Sequence, residues 1–201
     1  KVAMSLALVW LLVLASSPAP GQTPAAERKL VQQIRFDQRL NAQLPLNTPL
    51  IDERGAAVNL GRYLGRRPVI LVLGYYHCKH LCDVVLNGLV QSLNEIDFKA
   101  GRDFDVVSLS IDPRDTPAMA MMRKREILQR YVHPGSAGGW HILVGREAQI
   151  HKVADAAGFG YAYDPVRQEY LHAAGIMLLT SQGKVSRYLY GVKYEPRDLR
   201  L

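Results

Sequence analysis

The sequence predicts an α/β fold with a mixed central β-sheet flanked by helices. Three observations support this prediction. The 201 residues are 48% hydrophobic, which is enough for one globular domain with its own core. Apolar strand-like runs alternate with helical patterns, which indicates parallel strands joined by right-handed crossovers. The last two strand-like runs are separated by residues 181–183 alone, so these two strands must pair antiparallel.

The N-terminal residues resemble an export signal. Residues 2–15 form an uncharged apolar run after Lys1, and small residues and prolines follow. The run is shorter than the roughly 20 residues of a full membrane span. We therefore assign residues 1–20 to a signal peptide or an N-terminal membrane anchor. We expect an exported protein, in the periplasm or at the extracytoplasmic face of the inner membrane.

The next segment, residues 21–43, is assigned to a linker and N-terminal extension. It starts with a stretch rich in Pro and Ala, and the pattern over residues 27–40 indicates a short helix. The folded domain is assigned to residues 44–201. Because the chain stops where residues 196–200 resemble the first turn of a helix, truncation at the C-terminus is an expectation.

The elements of this domain follow from periodicity and turn residues. Residues 50–60 indicate a hairpin that turns at residues 52–55. The further strand candidates are residues 69–74, 104–111, 140–144, 175–180 and 184–190. The helical patterns between them cover residues 79–97, 117–130 and 146–157. Thr116 is a suitable N-cap for the second of these helices, and Pro117 suits its first turn.

The net charge of +7 suggests an acidic partner or an anionic membrane surface. The basic residues are dispersed. The densest run, Arg123 to Arg125, is followed by Glu126 and has no interleaved aromatic residues. The usual pattern of a nucleic-acid-binding surface is therefore missing, and we interpret the run as a solvated helix face.

Cys78 and Cys82 are the chain's two cysteines, and they lie where a strand-like run gives way to a helical pattern. On a helix, residues four apart share one face, about 40° apart and roughly 6 Å along the axis. Both sulfurs can then point at one spot, where they can hold a soft metal ion or close a short disulfide. The position is the carboxyl edge of the sheet, where α/β folds place their sites. A helix N-terminus there also lowers the pKa of a cysteine.

The alternative to a functional site is that the two cysteines form an inert disulfide or remain as a pair of buried thiols. Export allows thiols to oxidise. However, a loop this small constrains the unfolded chain very little. A helical pair four residues apart also lies near the upper edge of the Cα separation that a disulfide allows, which makes the bond reducible. A metal or redox site is therefore the favoured interpretation.

Four segments resemble the Sco/SenC family. They are Gly74–Cys82, Ser108–Pro117, Gly139–Gly145 and Tyr170–His172, which precedes the strand at 175–180. The match spans roughly residues 44 to 200 in consistent order, and is far more specific than one C-x-x-x-C motif. The resemblance implies a thioredoxin-like fold, often tethered to a membrane. It also implies copper binding and a role in assembling the binuclear CuA centre of cytochrome c oxidase.

Carried onto this chain, the resemblance implies a site of three copper ligands: Cys78, Cys82 and His172. It implies one ion per chain, as Cu(I) or Cu(II), and a metallochaperone rather than an enzyme. The expected partner is the CuA-bearing subunit of the oxidase, with another periplasmic copper carrier or a thioredoxin-like reductant as further candidates. The alternative is an extracytoplasmic thiol-disulfide oxidoreductase that uses Cys78 and Cys82 as its redox pair to keep the oxidase's copper-ligand cysteines reduced.

Two residues depart from the usual family pattern. Asp83 follows Cys82 where many members have Pro, and an acid in a first helical turn is favourable. Leu171 precedes His172 where many members have Asp. The second departure removes a carboxylate near the histidine ring, which leaves the orientation of that ring without an explanation.

Two related families fit less well. Thioredoxins have two residues between their cysteines and a Pro before the strand that faces them. This chain has three intervening residues and no Pro between Pro165 and Pro196. Peroxiredoxins have Pro and Thr before the reactive cysteine, where this chain has Leu71 and Tyr75.

Other residues near the cysteines have less specific interpretations. His77 and His80 flank the pair; they either tune or briefly hold copper, or are ordinary solvated loop residues. Asp112 and Asp115 follow a strand at the same sheet edge, where turn and cap chemistry explains them locally. The methionines of the second helix, residues 119, 121 and 122, offer thioethers for Cu(I), but gap-filling in the core is the favoured interpretation.

Overall fold

The computed structural model describes residues 24–77 and 81–199, and for Pro24, Ala26, Leu81 and Cys82 it describes the backbone only. The helices are α1 (Pro24–Gln33), α2 (Leu81–Asn94), α3 (Pro117–Arg130) and α4 (Glu147–Ala156). The strands are β1 (Arg35–Phe36), β2 (Pro49–Asp52), β3 (Ala57–Asn59), β4 (Val69–Gly74), β5 (Asp105–Ser110), β6 (Trp140–Val144), β7 (Phe159–Asp164), β8 (Glu169–His172), β9 (Gly175–Leu179) and β10 (Val185–Tyr190).

The main sheet has seven strands in the order β10-β9-β4-β5-β6-β2-β3. The pairs β4–β5 and β5–β6 are parallel, and β9–β10 is antiparallel. The predicted mixed sheet is thereby confirmed, including the sense of these pairings and the β2–β3 hairpin. Helices lie on both faces of this sheet, and the fold is thioredoxin-like, as the resemblance implied.

The central strand β4 is buried along its whole length and supplies both cores. Its alternate residues face opposite sides of the sheet. Ile70 and Val72 belong to the apolar cluster that includes residues of α2 and α3. Leu71 and Leu73 belong to the cluster that includes residues of α4. The continuous apolar run in the sequence therefore reflects a strand covered on both faces.

Helix α3 begins and ends where the sequence predicts. The Thr116 hydroxyl accepts a hydrogen bond from the Met119 amide at 3.3 Å, and Pro117 occupies the first turn. The preceding Asp112 accepts the Arg114 amide at 2.8 Å, which closes the turn after β5. The turn after β5 and the Thr116 cap together place the start of α3 at the sheet edge at which β4 also ends.

A second sheet, of strands β1, β7 and β8, was missed by the sequence analysis. Strands β7 and β8 pair antiparallel, with Tyr161 opposite His172. The turn between them places Gln168 at φ 55°, an uncommon conformation for a residue other than Gly. Helix α1 and strand β1 lie within the segment assigned to the N-terminal extension. His172 is therefore the last residue of a strand, and not part of a loop.

The basic run on α3 is the clearest disagreement with expectation. Arg123 and Lys124 are both 8% exposed, whereas Arg125 is exposed. The interpretation as a solvated face is wrong for the first two residues. Lys124 Nζ lies 2.5 Å from Oε1 of Glu53, and that carboxylate is also buried. Arg123 likewise forms an ion pair with Asp83, so each buried cation has an acidic partner, which periodicity alone does not reveal.

Helix α2 packs closely against the segment that follows β10. At Gly88 the helix backbone lies so close to this segment that an added Cβ would overlap the carbonyl oxygen of Val192. Tyr194 and Leu199 bury their side chains in the same apolar cluster as the inner face of α2. The C-terminal segment is therefore part of the support of the helix that contains Cys82.

The predicted signal or anchor, residues 1–20, lies outside the described residues. Among the residues that are described, no helix is both long and apolar enough to cross a bilayer.

Replacing Lys124 by Met should lower the free energy of unfolding by about 3 kcal/mol, because the Glu53 carboxylate then stays buried without its cation. Urea unfolding followed by circular dichroism measures this change. The double variant Lys124→Met/Glu53→Gln should recover part of the loss, since no charge is then left unpaired. Wild-type stability in the single variant would contradict the buried pair.

Candidate metal centre

His172 ends strand β8 and is 7% exposed. Its ring packs against two aromatic rings, with centroid separations of 5.7 Å to Phe159 and 6.4 Å to Tyr75. A histidine at the end of a strand and surrounded by rings has few alternative rotamers. The side chain is therefore held in place before any ligand binds.

The His172 ring is oriented by the backbone. Its Nδ1 lies 2.9 Å from the carbonyl oxygen of Ala173, and a carbonyl oxygen accepts but cannot donate. In the neutral ring the proton therefore belongs on Nδ1, and the lone pair belongs on Nε2. This is the arrangement that metal-binding histidines use. A backbone carbonyl thus takes the orienting role that an Asp at position 171 would otherwise have.

The strand register brings His172 to the end of β4. Leu71 of β4 is paired with Met177 of β9, and the two strands are antiparallel. Continued by the same register, the chain after β4 runs alongside the chain before β9. The ring of Tyr75 accordingly contacts both His77, at 5.0 Å between centroids, and His172. We call residues 75–83, which contain both cysteines, the cysteine segment. The beginning of this segment and His172 therefore share one sheet edge.

The cysteines are only partly covered by the structure. Cys82 lies in the first turn of α2, which begins at Leu81, as the helical pattern predicted. Cys78 and His80 lie outside the described residues. The three-ligand set of Cys78, Cys82 and His172 therefore remains a prediction, although the backbone of Cys82 and the side chain of His172 are in the structure.

His77 contacts two buried carboxylates. Its Nδ1 lies 2.7 Å from Oδ1 of Asp115, and its Nε2 lies 3.3 Å from Oδ2 of Asp112. The ligand atoms of these three side chains lie within 4.8 Å of one another. The sequence predicts either a histidine that tunes or briefly holds copper or a solvated loop residue; in the structure the ring of His77 is half exposed, and both of its nitrogens contact carboxylates. Asp112 and Asp115 lie three residues apart in the sequence, and this spacing was the sequence feature that could have predicted a shared contact with His77.

Asp115 connects the cysteine segment to strand β5. One of its oxygens, Oδ2, accepts the amide of Tyr76 at 2.7 Å and the hydroxyl of Ser110 at 2.5 Å, while the other contacts His77. A carboxylate with this many donors is committed to structure rather than to a metal ion. We conclude that Asp115 holds the segment that enters the cysteine motif.

Asp112 is held by Arg114, whose guanidinium donates to both carboxylate oxygens at 2.7–3.1 Å. Burial by itself raises the pKa of Asp112, but the hydrogen bonds and positive charge of Arg114 outweigh it, so the net pKa lies below the ordinary value. The same guanidinium lies over the ring of Tyr163, 5.2 Å from its centroid. Arg114 therefore links the β7–β8 hairpin to the sheet edge.

Other candidates lie elsewhere. His141 of β6 contacts the ring of Tyr63, at 4.2 Å between centroids, and the carboxylate of Asp105, at 3.7 Å, so its contacts are structural ones within the fold. Met119 and Met121 are partly buried, in agreement with gap-filling, whereas Met122 is 60% exposed and fills no gap.

The comparisons with known proteins agree with the resemblance. A family model described as SCO1/SenC matches residues 38–199. A putative electron transfer protein from Aquifex aeolicus is 24% identical over 79% of this chain and 89% of that chain, with a TM-score of 0.69. Bradyrhizobium japonicum ScoI with copper bound is 25% identical over 75% and 91%, with a TM-score of 0.57. Yeast Sco1 with copper bound is 24% identical over 77% and 83%, also with a TM-score of 0.57. No curated protein matches the chain significantly.

Replacing Arg114 by Gln should destabilise the protein in a pH-dependent way. Because the folded-state pKa of Asp112 is lowered, its stabilisation is present above its usual value of 3.8 and is lost as the pH falls through the folded value. The stability difference between wild type and variant should therefore be largest above about pH 4 and shrink at lower pH.

Urea midpoints measured between about pH 7 and about pH 3 test this expectation. Arg125→Gln, on the exposed side of α3, is the control and should show no such dependence. A difference that grows on acidification would contradict the proposed sign.

Proposed function

The chain belongs to the SCO1/SenC family, and from this premise we propose that it is a copper-binding metallochaperone for assembly of the CuA centre of cytochrome c oxidase. Copper is then the cargo rather than a resident cofactor. The observation that carries the proposal is the fixed ring of His172, whose Nδ1–Ala173 contact puts the lone pair of the neutral ring on Nε2. This ring lies at the sheet edge from which the cysteine segment starts.

The proposed ligands are Cys78, Cys82 and His172, for one copper ion per chain. Thiolate and imidazole are donors that suit copper, and two sulfurs with one nitrogen suit a three-coordinate ion. A structural zinc site usually needs a fourth protein ligand, for which the chain has no further cysteine. The start of α2 at Leu81 supports the proposal, because it places position 82 in the first turn of a helix, where helix N-termini favour thiolates in general.

A thiol-disulfide oxidoreductase is the second candidate, and the same helix start favours it. A cysteine of lowered pKa attacks disulfides readily. In this reaction the dithiol of Cys78 and Cys82 gives two electrons and two protons to a partner disulfide, and becomes a disulfide itself. Its substrate would be the oxidised pair of copper-ligand cysteines in the oxidase.

The proposed partner is the CuA-bearing subunit of the oxidase, and another copper carrier or a thioredoxin-like reductant would act before it. We place these encounters in the periplasm or at the extracytoplasmic face of the inner membrane. The apolar run at residues 2–15 supports export. The net charge of +7 supports an acidic partner surface or proximity to an anionic membrane.

The reduced protein should bind close to one copper ion per chain, and Cys78→Ser or Cys82→Ser should each abolish tight binding, because each removes a thiolate. Metal analysis after desalting measures the bound copper. Met122→Leu removes an exposed thioether and is the matched control, which should retain full occupancy. Full copper occupancy in a double cysteine variant would end this proposal.

His172→Ala should separate the two candidate functions, because His172 supplies a metal ligand but no redox-active sulfur. Copper retention should weaken by a factor of roughly 10 to 100, by analogy with the loss of partners that only orient a metal ligand. Formation and reduction of the Cys78–Cys82 disulfide should persist. Chelator competition and thiol titration measure the two properties.

In cells, the His172→Ala variant should lose oxidase assembly if copper delivery is the function, and retain it if thiol reduction is the function. His151→Ala, at an exposed position on α4, is the matched histidine control. Unchanged copper affinity in His172→Ala would show that this histidine is structural.

A further inference from the structure

One buried arginine of α3 contacts both sides of the cysteine segment. The guanidinium of Arg123 donates from NH2 to the carbonyl oxygen of Tyr76 at 2.8 Å. Its NH1 forms an ion pair with Oδ1 of Asp83. Tyr76 lies two residues before Cys78, and Asp83 immediately follows Cys82. The guanidinium of Arg123 on α3 therefore joins the two sides of the cysteine segment. The strand side is Tyr76, which follows β4, and the helix side is Asp83, at the start of α2.

The arginine is well suited to hold these two points at a fixed separation. Its side chain is 9% exposed, and its planar fork presents several donors in a rigid arrangement. Its hydrogen bond to the carbonyl oxygen of Tyr76 is charge-assisted, and such bonds are roughly twice as strong as neutral ones, whereas its contact with Asp83 is an ion pair. Glu126, 3.2 Å away and one turn along α3, helps to keep the guanidinium in place.

Tyr76 is also held by contacts that do not involve Arg123. Its amide donates to Asp115, and its side-chain hydroxyl donates to the carbonyl oxygens of Ser108 and Leu143. The strand side is therefore anchored to the sheet without Arg123. Among the described residues, the Arg123–Asp83 pair is a polar link from the helix side to that anchored strand side, beside the apolar packing of α2 on β4. Loss of Arg123 should consequently let the distance between Tyr76 and Asp83 vary, while the sheet edge stays folded.

We propose that Arg123 is a positioning residue for the copper site, which sets the separation between Tyr76 and Asp83 on either side of the two cysteines and so reduces the ordering that copper binding requires. The expected effect on copper binding rests on the proposed copper function, but the link between Tyr76 and Asp83 does not depend on copper. Preorganised ligands bind a metal more tightly because less ordering accompanies binding.

The test compares Arg123→Met with Arg123→Lys, Asp83→Asn and two controls on the same helix. Lys124→Met disrupts the neighbouring buried ion pair, which leads to Glu53 and away from the cysteines. Arg125→Met removes an exposed positive charge. Stability is measured for every variant, and binding is compared at a temperature at which all are folded.

The first readout is amide hydrogen exchange of the reduced, copper-free protein. Exchange in the peptide covering residues 76–83 should accelerate by roughly tenfold in Arg123→Met, as expected when hydrogen bonds to a charged group are removed. Arg123→Lys should show a smaller acceleration, since it retains the charge but not the fork. Both controls should leave this peptide unchanged. Wild-type exchange in Arg123→Met would overturn the proposal whether or not the protein binds copper.

The second readout is the Cu(I) dissociation constant, from competition with a chromogenic chelator. It should rise by roughly tenfold in Arg123→Met, and less in Asp83→Asn. The double variant Arg123→Met/Asp83→Asn should be no weaker than Arg123→Met alone, because the two residues act through one contact. Lys124→Met should lower stability while the dissociation constant stays at the wild-type value.

Two results of the binding assay would overturn the positioning role. One is faster exchange without weaker copper binding, which would mean that Arg123 orders the segment but does not position the ligands. The other is an equal loss of affinity in Arg123→Met and Lys124→Met, which would indicate general destabilisation. If the wild type itself binds no copper, the proposed function fails while the exchange result still decides whether Arg123 links the two sides.

Discussion

The antiparallel pairing of β9 with β4 is the interaction on which the candidate site depends. Leu71 lies opposite Met177, so the chain leaving β4 and the chain entering β9 run side by side at one sheet edge. His172 precedes β9 by three residues, and Cys78 follows β4 by four. A slip of one residue would turn the side chains of a strand to the opposite face. The register of the β4–β9 pair therefore also determines where the histidine lies.

Two adjacent buried cations give α3 a role beyond covering the sheet. Lys124 is paired with Glu53 at the β2–β3 hairpin, and Arg123 is paired with Asp83 at the start of α2. Burying such charges is unfavourable unless each has a partner with good geometry. Arg123 has two acidic partners, Asp83 at the start of α2 and Glu126 on its own helix. The pair with Asp83 connects α3 to a second helix, whereas the pair with Glu126 lies within α3.

The parts predicted from sequence are those that local patterns determine. The apolar run of β4 and the Thr116 cap of α3 were found because burial on both faces and capping leave direct signatures. The β7–β8 hairpin was missed because its mixed aromatic and polar residues give no clean alternation. Arg123 was misread because a helix pattern shows which face a residue shares, but not that a partner from another element neutralises it. His172 was found through the family resemblance, since one histidine carries no local signal.

The close approach at Gly88 limits how this family member can diverge. No residue with a Cβ fits there unless the segment around Val192 moves outward. That segment leads to Tyr194 and Leu199, which are buried with the inner face of α2. A substitution at Gly88 therefore requires a change in the C-terminal segment, so these two distant stretches of sequence should co-vary across evolution, although Cys82 is the one proposed copper ligand that either stretch contains.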